Sequence, residues 1–280
     1  MRDIQSDRIV QTVQRLCIEA NIRLRRDVID RIRFCRDRET SETGREVLDR
    51  ILENARVAGS SEMPLCQDTG ATVVLLEIGQ DAHIDGGDLN EAVHEGVRRG
   101  YEAGYLRKSI VRDPLRRVNT GDNTPAFIHT EIVPGDRLKI TVIPKGGGCE
   151  NMSEARMLTP SAGIEGVKTF VIERVRVSGG NPCPPLIVGV GIGGTLETCA
   201  FLAKKAIIRP IGRRHADPFY AELETALLRE INQSGLGPQA FGGRCTALEV
   251  FTEIQPCHIA SLPVAVNLQC HSARHAEAVL

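Results

Sequence analysis

The sequence contains no tryptophan, and aromatic residues make up only 4% of its 280 positions. Proteins that bind single-stranded nucleic acid stack the bases on aromatic side chains, so this composition does not favour that function. The 35 basic and 36 acidic side chains give a net charge of -1. A chain without excess positive charge has no general attraction for nucleic acid or for an anionic membrane. We therefore expect neither as a partner.

Long apolar stretches are also missing. No run of about 18 apolar residues occurs, so we expect no membrane-spanning helix. The stretch from Met1 to Arg8 mixes charges of both signs and lacks the apolar core of a secretory signal. These absences predict a cytoplasmic protein whose nine cysteines are reduced thiols. No two cysteines have Cys-x-x-Cys spacing, which argues against a ferredoxin-like electron carrier.

The pattern of apolar residues predicts the fold. Ile9, Val13 and Leu16 recur at helical spacing, as do Val28 and Ile32, so we expect a helical N-terminal lead over about residues 1–58. Later patterns predict strands at 71–78, on both sides of the turn 134–136, and at 186–190, 244–254 and 260–269, with helices at about 88–103, 161–177, 195–207 and 218–232. The sum is an α/β fold (mixed α+β) with mixed sheets, in a single domain spanning residues 1–280.

The cysteines divide into two groups. Cys17, Cys35 and Cys199 lie on apolar faces of predicted helices, where a free cysteine packs as a small apolar residue. The other six have no such explanation, and they are Cys66, Cys149, Cys183, Cys245, Cys257 and Cys270.

Three of these six have a local setting that suits a metal cluster. Cys66 and Cys183 lie in proline-containing loops beside apolar strands, and Cys270 ends an apolar strand. A proline next to a cysteine is typical of iron–sulfur proteins. Three widely spaced thiolates would leave one iron of a cluster open to bind a substrate oxygen as a Lewis acid. Spacing alone does not select the set, because Cys149 or Cys257 could replace any member.

Two alternatives use the same parts of the chain. Residues 189–194 fit G-x-G-x-x-G between a strand and a helix, which is typical of dinucleotide binding. However, no acidic residue ends a second strand about 20 residues later, and the glycines could instead allow close strand–helix packing. The chain end offers a set for zinc whose spacing matches no common zinc module. Its members are Cys257, His258, Cys270, His271 and His275.

Several strings, in order along the chain, resemble class I fumarate hydratase. They are Leu-Cys-Gln-Asp-Thr-Gly at 65–70, Asn-Thr-Gly-Asp-Asn-Thr-Pro at 119–125, Lys-Gly-Gly-Gly at 145–148, Asn-Pro-Cys-Pro-Pro at 181–185, Arg-Pro-Ile-Gly at 209–212, and the stretch from 257 to 271. The resemblance runs from about residue 10 to the end. L-tartrate dehydratase, whose α subunit shares the cysteine layout, is the near relative, but the string at 257–263 is more similar to the fumarase form.

The resemblance implies a cofactor, an activity and a partner. It assigns a [4Fe-4S] cluster to Cys66, Cys183 and Cys270, with the fourth iron facing the substrate, and it gives the other cysteines no ligand role. The implied activity is reversible hydration of fumarate to (S)-malate, a reaction of the tricarboxylic acid cycle. This chain would be the α subunit, and a separate β-type subunit would complete the active site in an α2β2 assembly.

The chemistry of such a site predicts roles for residues near the cysteines. Asp68 and His258 would form a carboxylate–imidazole pair that moves the proton of the hydroxyl group. The dicarboxylate substrate would be bound by Gln67, by Arg107 and by the backbone amides of Gly146 and Gly147, which form an anion nest. The structural alternatives are that Asp68 only caps its turn with His258 packed against it, and that Arg107 is a solvated surface residue.

Overall fold

The computed structural model describes residues 2–280, which form helices and mixed sheets of an α/β fold. The strands are β1 (Arg2–Gln5), β2 (Ala71–Gly79), β3 (Ala82–Asp85), β4 (Phe127–Val133), β5 (Leu138–Lys145), β6 (Glu154–Leu158), β7 (Leu186–Gly193), β8 (Ala247–Gln255), β9 (Leu262–Gln269) and β10 (Ala276–Val279). The helices are α1 (Ser6–Ile22), α2 (Arg26–Arg38), α3 (Glu42–Ser61), α4 (Leu89–Ala103), α5 (Gly147–Glu150), α6 (Gly163–Ser178), α7 (Leu196–Ala206) and α8 (Pro218–Asn232).

The predicted helical lead contains three helices, α1, α2 and α3, as its apolar spacing indicated. The first helix is preceded by the short strand β1, and the third continues to Ser61. Residue 1 of the expected lead lies outside the described residues. No helix among residues 2–280 has the length and apolar character needed to cross a membrane.

The described residues form two compact units. The first contains residues 2–24, 55–147 and 274–280, and the second contains 25–54 and 148–273. In the first unit a four-stranded sheet has the order β10-β5-β2-β4, and β1 pairs with β3. Helix α1 packs on the larger sheet and α4 packs against α1, and Val13, Val93 and Val97 belong to one apolar core with side chains of the strands. This packing positions the turn that leads into β2.

The two strands that flank the predicted turn 134–136 are both present, but they do not form a hairpin. Strand β4 pairs in parallel with one edge of β2, and β5 pairs antiparallel with the other edge. The start of β2 thereby lies beside the end of β5, with Ala71 opposite Lys145. Residues 65–70 and 146–147 are brought together because they directly adjoin this pair.

The second unit is built on the sheet β6-β9-β7-β8, in which β7 is central and pairs in parallel with β8. Val188 and Val190 of β7 face an apolar core that includes residues of α6 and α8. The alternate residues face α7. A Cβ atom on Gly189 would lie 2.1 Å from the carbonyl oxygen of Ala203, and one on Gly191 would lie 2.0 Å from that of Cys199. The glycines of the G-x-G-x-x-G string therefore allow close strand–helix packing.

This close approach predicts a large loss of stability on substitution. In Gly191→Ala the added methyl group would meet backbone atoms, which a rotamer change cannot relieve. We expect the free energy of unfolding to fall by about 3 kcal/mol or more, at the upper end of overpacking effects. Gly59→Ala is the matched control, since no atom lies within 4 Å of a Cβ there. It should be neutral or slightly stabilising in the same denaturant titrations, and equal stability of the two variants would contradict the packing argument.

The cysteines predicted to pack in the core behave in two ways. Cys17 and Cys199 are fully buried, and burial raises the pKa of both thiols. Cys35 is only half-buried, and its thiol hydrogen-bonds with that of Cys245. That bond lowers the pKa of Cys35 and raises the pKa of Cys245. Cys35 thus makes a polar contact between α2 and the segment before β8, which its position on a helix face did not indicate.

Candidate active site

The turn that we call the Cys66 segment, residues 65–70, connects α3 to β2 in the first unit. Cys66 is half-buried and Gln67 is exposed. The Asp68 carboxylate accepts two backbone hydrogen bonds, from Gly70 N to Oδ1 at 3.1 Å and from Gly147 N to Oδ2 at 2.8 Å. Three of the predicted site positions, Gln67, Asp68 and Gly147, therefore lie close together. The amide of Gly147, predicted to bind an anion, here binds the carboxylate of Asp68.

Arg107 reaches the same segment through its main chain. Its carbonyl oxygen accepts a hydrogen bond from the Thr69 hydroxyl at 3.1 Å, and its side chain is exposed. Because the guanidinium is exposed, packing does not fix its orientation. It can rotate and bind a carboxylate through two of its N–H groups. The structure places Arg107 beside the Cys66 segment and leaves its side chain at the surface.

Buried polar side chains hold the carbonyl groups of the Cys66 segment. The Tyr101 hydroxyl donates to the carbonyl oxygens of Thr69 at 2.8 Å and Gly70 at 3.0 Å, and Asn123 Nδ2 donates to Gly70 at 3.2 Å. Tyr101 and Asn123 are fully buried, and burial raises the pKa of Tyr101. Neither residue was predicted for the site. Asn123 belongs to the string at 119–125 and could have been found there, whereas nothing in the local sequence marks Tyr101.

The rest of that string shapes the turn that carries Asn123. The Asp122 carboxylate accepts hydrogen bonds from Thr124 N at 3.0 Å and from its hydroxyl at 2.8 Å, and Arg98 Nε donates to it at 3.1 Å. Desolvation by itself would raise the pKa of Asp122, but these hydrogen bonds outweigh it and hold the pKa at about 2. The carboxylate therefore stays ionised and keeps the turn folded at any pH near neutrality.

In the second unit, two predicted cluster ligands lie on neighbouring segments. The Cys183 loop, residues 181–185, exposes Cys183 with a left-handed backbone at φ 57°. Cys270, which is 9% exposed, follows the end of β9. His271 Nδ1 lies 3.1 Å from the carbonyl oxygen of Cys183 and 3.2 Å from Gln239 Nε2, so it donates to the carbonyl when protonated and accepts from the amide when not. Gln239 Nε2 in turn donates to the carbonyl oxygen of Pro184 in the Cys183 loop. His271 thereby joins the two segments, a role that the sequence analysis did not assign to it.

His258 lies in an exposed loop between β8 and β9, in the second unit. Its Nδ1 accepts a hydrogen bond from Ala260 N at 3.1 Å, so the neutral imidazole carries its proton on Nε2. Ile259 beside it is 92% exposed, and the Cys257 thiol donates to the carbonyl oxygen of Ser261 at 3.4 Å. Because Asp68 belongs to the first unit, the predicted pairing of Asp68 with His258 stays a prediction.

Residues 10–279 match the protein family described as Fumarate hydratase (Fumerase). The chain belongs to this family. A protein of Methanocaldococcus jannaschii provisionally named L(+)-tartrate dehydratase subunit alpha is 44% identical over 278 residues, 96% of each chain. The L(+)-tartrate dehydratase subunit alpha of Escherichia coli strain UTI89 is 35% identical over 272 residues, 96% of this chain and 89% of that protein. The protein of that name from strain K12 is 34% identical with the same coverage.

Membership of the fumarate hydratase family makes this chain part of a hydro-lyase, because the family and the named relatives add or remove water. The structure also bears on the two alternatives. The glycines proposed for dinucleotide binding pack against α7. Among residues 2–280, no three or more His, Cys, Asp or Glu side chains form a group suited to one metal ion, zinc included.

Class I members of the fumarate hydratase family generally depend on an iron–sulfur cluster, for which Cys66, Cys183 and Cys270 stay the predicted ligands. Each thiolate of such a cluster binds a different iron, so the thiols need not converge on one point. The Cys66 turn is held by buried partners, and Cys183 and Cys270 lie on segments joined by His271. The cysteines without a predicted ligand role have other contacts, since Cys149 donates to the carbonyl of Pro182 and Cys245 bonds with Cys35.

Proposed function

We propose that this chain is the α subunit of a [4Fe-4S]-dependent hydro-lyase that hydrates fumarate reversibly to (S)-malate together with a separate β-type subunit. The observation that carries the proposal is the family match over residues 10–279, nearly the whole chain. Cys66, Cys183 and Cys270 are the proposed cluster ligands. When bound, the cluster supplies a Lewis-acidic iron that lowers the pKa of water or of a substrate hydroxyl group.

Asp68 and His258 are the proposed groups for proton transfer at the hydroxyl. The two amide hydrogen bonds of Asp68 orient its carboxylate and still leave lone pairs to accept a proton. In His258 the Ala260 amide occupies Nδ1, so Nε2 is the nitrogen that can exchange a proton with the substrate. A positioned acid or base of this kind contributes about 10²–10⁴-fold to a rate.

The substrate is a dianion, so both of its carboxylates require donors. Gln67 offers an exposed amide, Arg107 an exposed guanidinium, and Gly146 and Gly147 the backbone of the proposed nest. The Gly147 amide, which donates to Asp68 in this structure, would have to exchange that partner for the substrate. These groups adjoin one turn of the first unit and suit one carboxylate. We assign the donors for the second carboxylate, and the group that handles the carbon-bound proton, to the β-type subunit.

L-Tartrate is the second candidate substrate, because the relatives at 34–44% identity are named L(+)-tartrate dehydratase subunit alpha. Tartrate carries one more hydroxyl group than malate. Removal of water from it gives the enol of oxaloacetate, whereas removal of water from malate gives fumarate. A site built to hydrogen-bond a substrate hydroxyl rejects the analogue without it by about 10⁴-fold, whereas a site without that donor rejects an added hydroxyl only about 10²-fold.

An anaerobic assay of the chain with its β-type subunit tests the proposal and separates the candidates. We expect (S)-malate to be converted to fumarate with a kcat/KM about 10²-fold above that for L-tartrate. A preference for tartrate by about 10⁴-fold over malate would establish the second candidate instead. Absence of turnover with both, in a complex that contains its cluster, would contradict a C4-dicarboxylate hydro-lyase.

A further inference from the structure

A buried arginine near the chain end binds the Cys66 segment. Arg274 is 3% exposed and lies in the first unit, four positions along the chain from Cys270. Its NH1 group donates to the backbone carbonyl oxygen of Asp68 and, at 3.1 Å, to Asn21 Oδ1. None of the ion pairs described within residues 2–280 involves Arg274, and its Nε has no hydrogen-bond partner there. Burial of a charge costs free energy, and the hydrogen bonds that Arg274 donates must offset that cost.

Asn21 completes the contact from the last turn of α1. This fully buried side chain donates from Nδ2 to the carbonyl oxygen of Cys17 at 2.9 Å, which fixes its orientation and points Oδ1 at Arg274. The backbone carbonyl of Asn21 accepts from Leu65 N at 2.8 Å. One end of the stretch 65–68 is therefore tied to Asn21 directly and the other through Arg274. We call this arrangement the Arg274–Asn21 clamp.

The clamp lies next to the Asp68 carboxylate. A Cβ atom on Gly146 would stand 3.1 Å from Arg274 NH2 and 3.2 Å from Asp68 Oδ2, so this position has room for little more than a glycine. Gly146 is followed by Gly147, whose amide binds the same Oδ2 atom. Gly146, just after the end of β5, therefore packs between the Arg274 guanidinium and the Asp68 carboxylate. A shift of Arg274 would be transmitted to Asp68.

We propose that Arg274 is a positioning residue, which fixes Cys66 and Asp68 through the Arg274–Asn21 clamp. The inference rests on the proposed function, because it concerns the placement of a cluster thiolate and of a proton-transfer group. Only Cys66 and Gln67 lie between the two clamped points, Leu65 and Asp68. Mutation of a residue that orients a metal ligand from outside the coordination sphere commonly lowers metal affinity or activity by about 10–100-fold. A displacement of about 1 Å at a reacting group costs on the order of 10²-fold in rate.

The test uses the anaerobic complex of the α chain with its β-type subunit and compares Arg274→Gln with Arg274→Lys. We expect Arg274→Gln to lower kcat about 100-fold with a smaller change in KM, and to alter the electron paramagnetic resonance spectrum of the cluster after one-electron reduction with dithionite. Lysine keeps a donor but loses the fork, so Arg274→Lys should recover part of kcat and of the spectrum. Gly146→Ala, which keeps Arg274, should reproduce part of the loss by crowding both groups.

A core variant separates positioning from general destabilisation. Leu138→Ala empties a fully buried position in the same unit and should cost about 2–5 kcal/mol of stability. At a temperature where it is folded, its kcat and spectrum should match those of the wild type. Wild-type kcat and spectrum in Arg274→Gln, or equal losses in Leu138→Ala, would overturn the inference. An inactive wild-type complex would contradict the proposed function instead, and the cluster spectra of Arg274→Gln and wild type would still decide the positioning role.

Discussion

Replacement of Cys183 by serine should prevent assembly of the [4Fe-4S] cluster and abolish hydration. Serine has nearly the same size, but its hydroxyl is a poor ligand for iron compared with a thiolate. The Cys183 loop should keep its shape, because its contact with His271 uses the backbone carbonyl and not the thiol. We expect iron and acid-labile sulfide near background after anaerobic reconstitution. Turnover should fall by at least about a hundredfold, a loss of about 2.7 kcal/mol or more of transition-state stabilisation.

Two other cysteines provide matched controls for this prediction. Cys257 is exposed like Cys183 and lies in the same unit, and its thiol bonds to the carbonyl oxygen of Ser261, an acceptor that a serine hydroxyl can also use. Cys17 is fully buried and matches Cys270, the buried member of the proposed ligand set. Serine at either control position should leave the iron content intact. A full cluster signal in Cys183→Ser, or its loss in Cys257→Ser, would show that the ligand set is wrong.

The α chain alone should bind substrate weakly and turn it over at no more than about a hundredth of the rate of the complex. Loss of a single donor to a developing charge costs about 10²–10³-fold, and the donors that we propose in this chain serve one of the two carboxylates. The loop that carries His258 is exposed, and Ile259 beside it is 92% exposed, as expected for a surface that a partner covers.

Addition of the β-type subunit to the reconstituted α chain should restore hydration and saturate at an equal ratio of subunits. Light scattering of the active species should give the mass of an α2β2 assembly. An unrelated protein added in the same amount is the control, because added protein can stabilise an enzyme without binding it specifically. It should leave the rate of hydration unchanged. Robust hydration by the purified 280-residue chain would refute the division of the active site, although the cluster assignment would stand.

Regular elements with strong apolar patterns could be predicted from the sequence, and short edge strands could not. Helix α4 begins after Asp88, whose side chain accepts from Glu91 N, and the sequence places its start within a residue. Strands β6 and β10 are short and lie at sheet edges, and half or more of their side chains are not buried. Their sequences therefore lack the alternation of apolar and polar residues that marks a strand. The pairing of β2 with both β4 and β5 depends on long-range contacts that local patterns do not contain.

The candidate site shows the same division. Cys66, Gln67 and Asp68 are adjacent in sequence, and their turn was recognisable from proline, glycine and the resemblance to a family. The buried partners Arg274 and Tyr101 come from positions 206 and 32 residues away from their hydrogen-bond acceptors. A buried arginine and a surface arginine look alike in a sequence. Their roles follow only from the fold, which is why the sequence analysis assigned neither residue.

The Cys66 segment has no helix or strand, yet several of its backbone groups are hydrogen-bonded as in a regular element. Leu65 and Gly70 donate their amides, and the carbonyls of Asp68, Thr69 and Gly70 accept from buried side chains. Amides bound in this way exchange with deuterated water only when the elements around them open. The segment should therefore unfold cooperatively with α1, α4 and β2, and the amides of Leu65 and Gly70 should rank with the slowly exchanging core of the first unit.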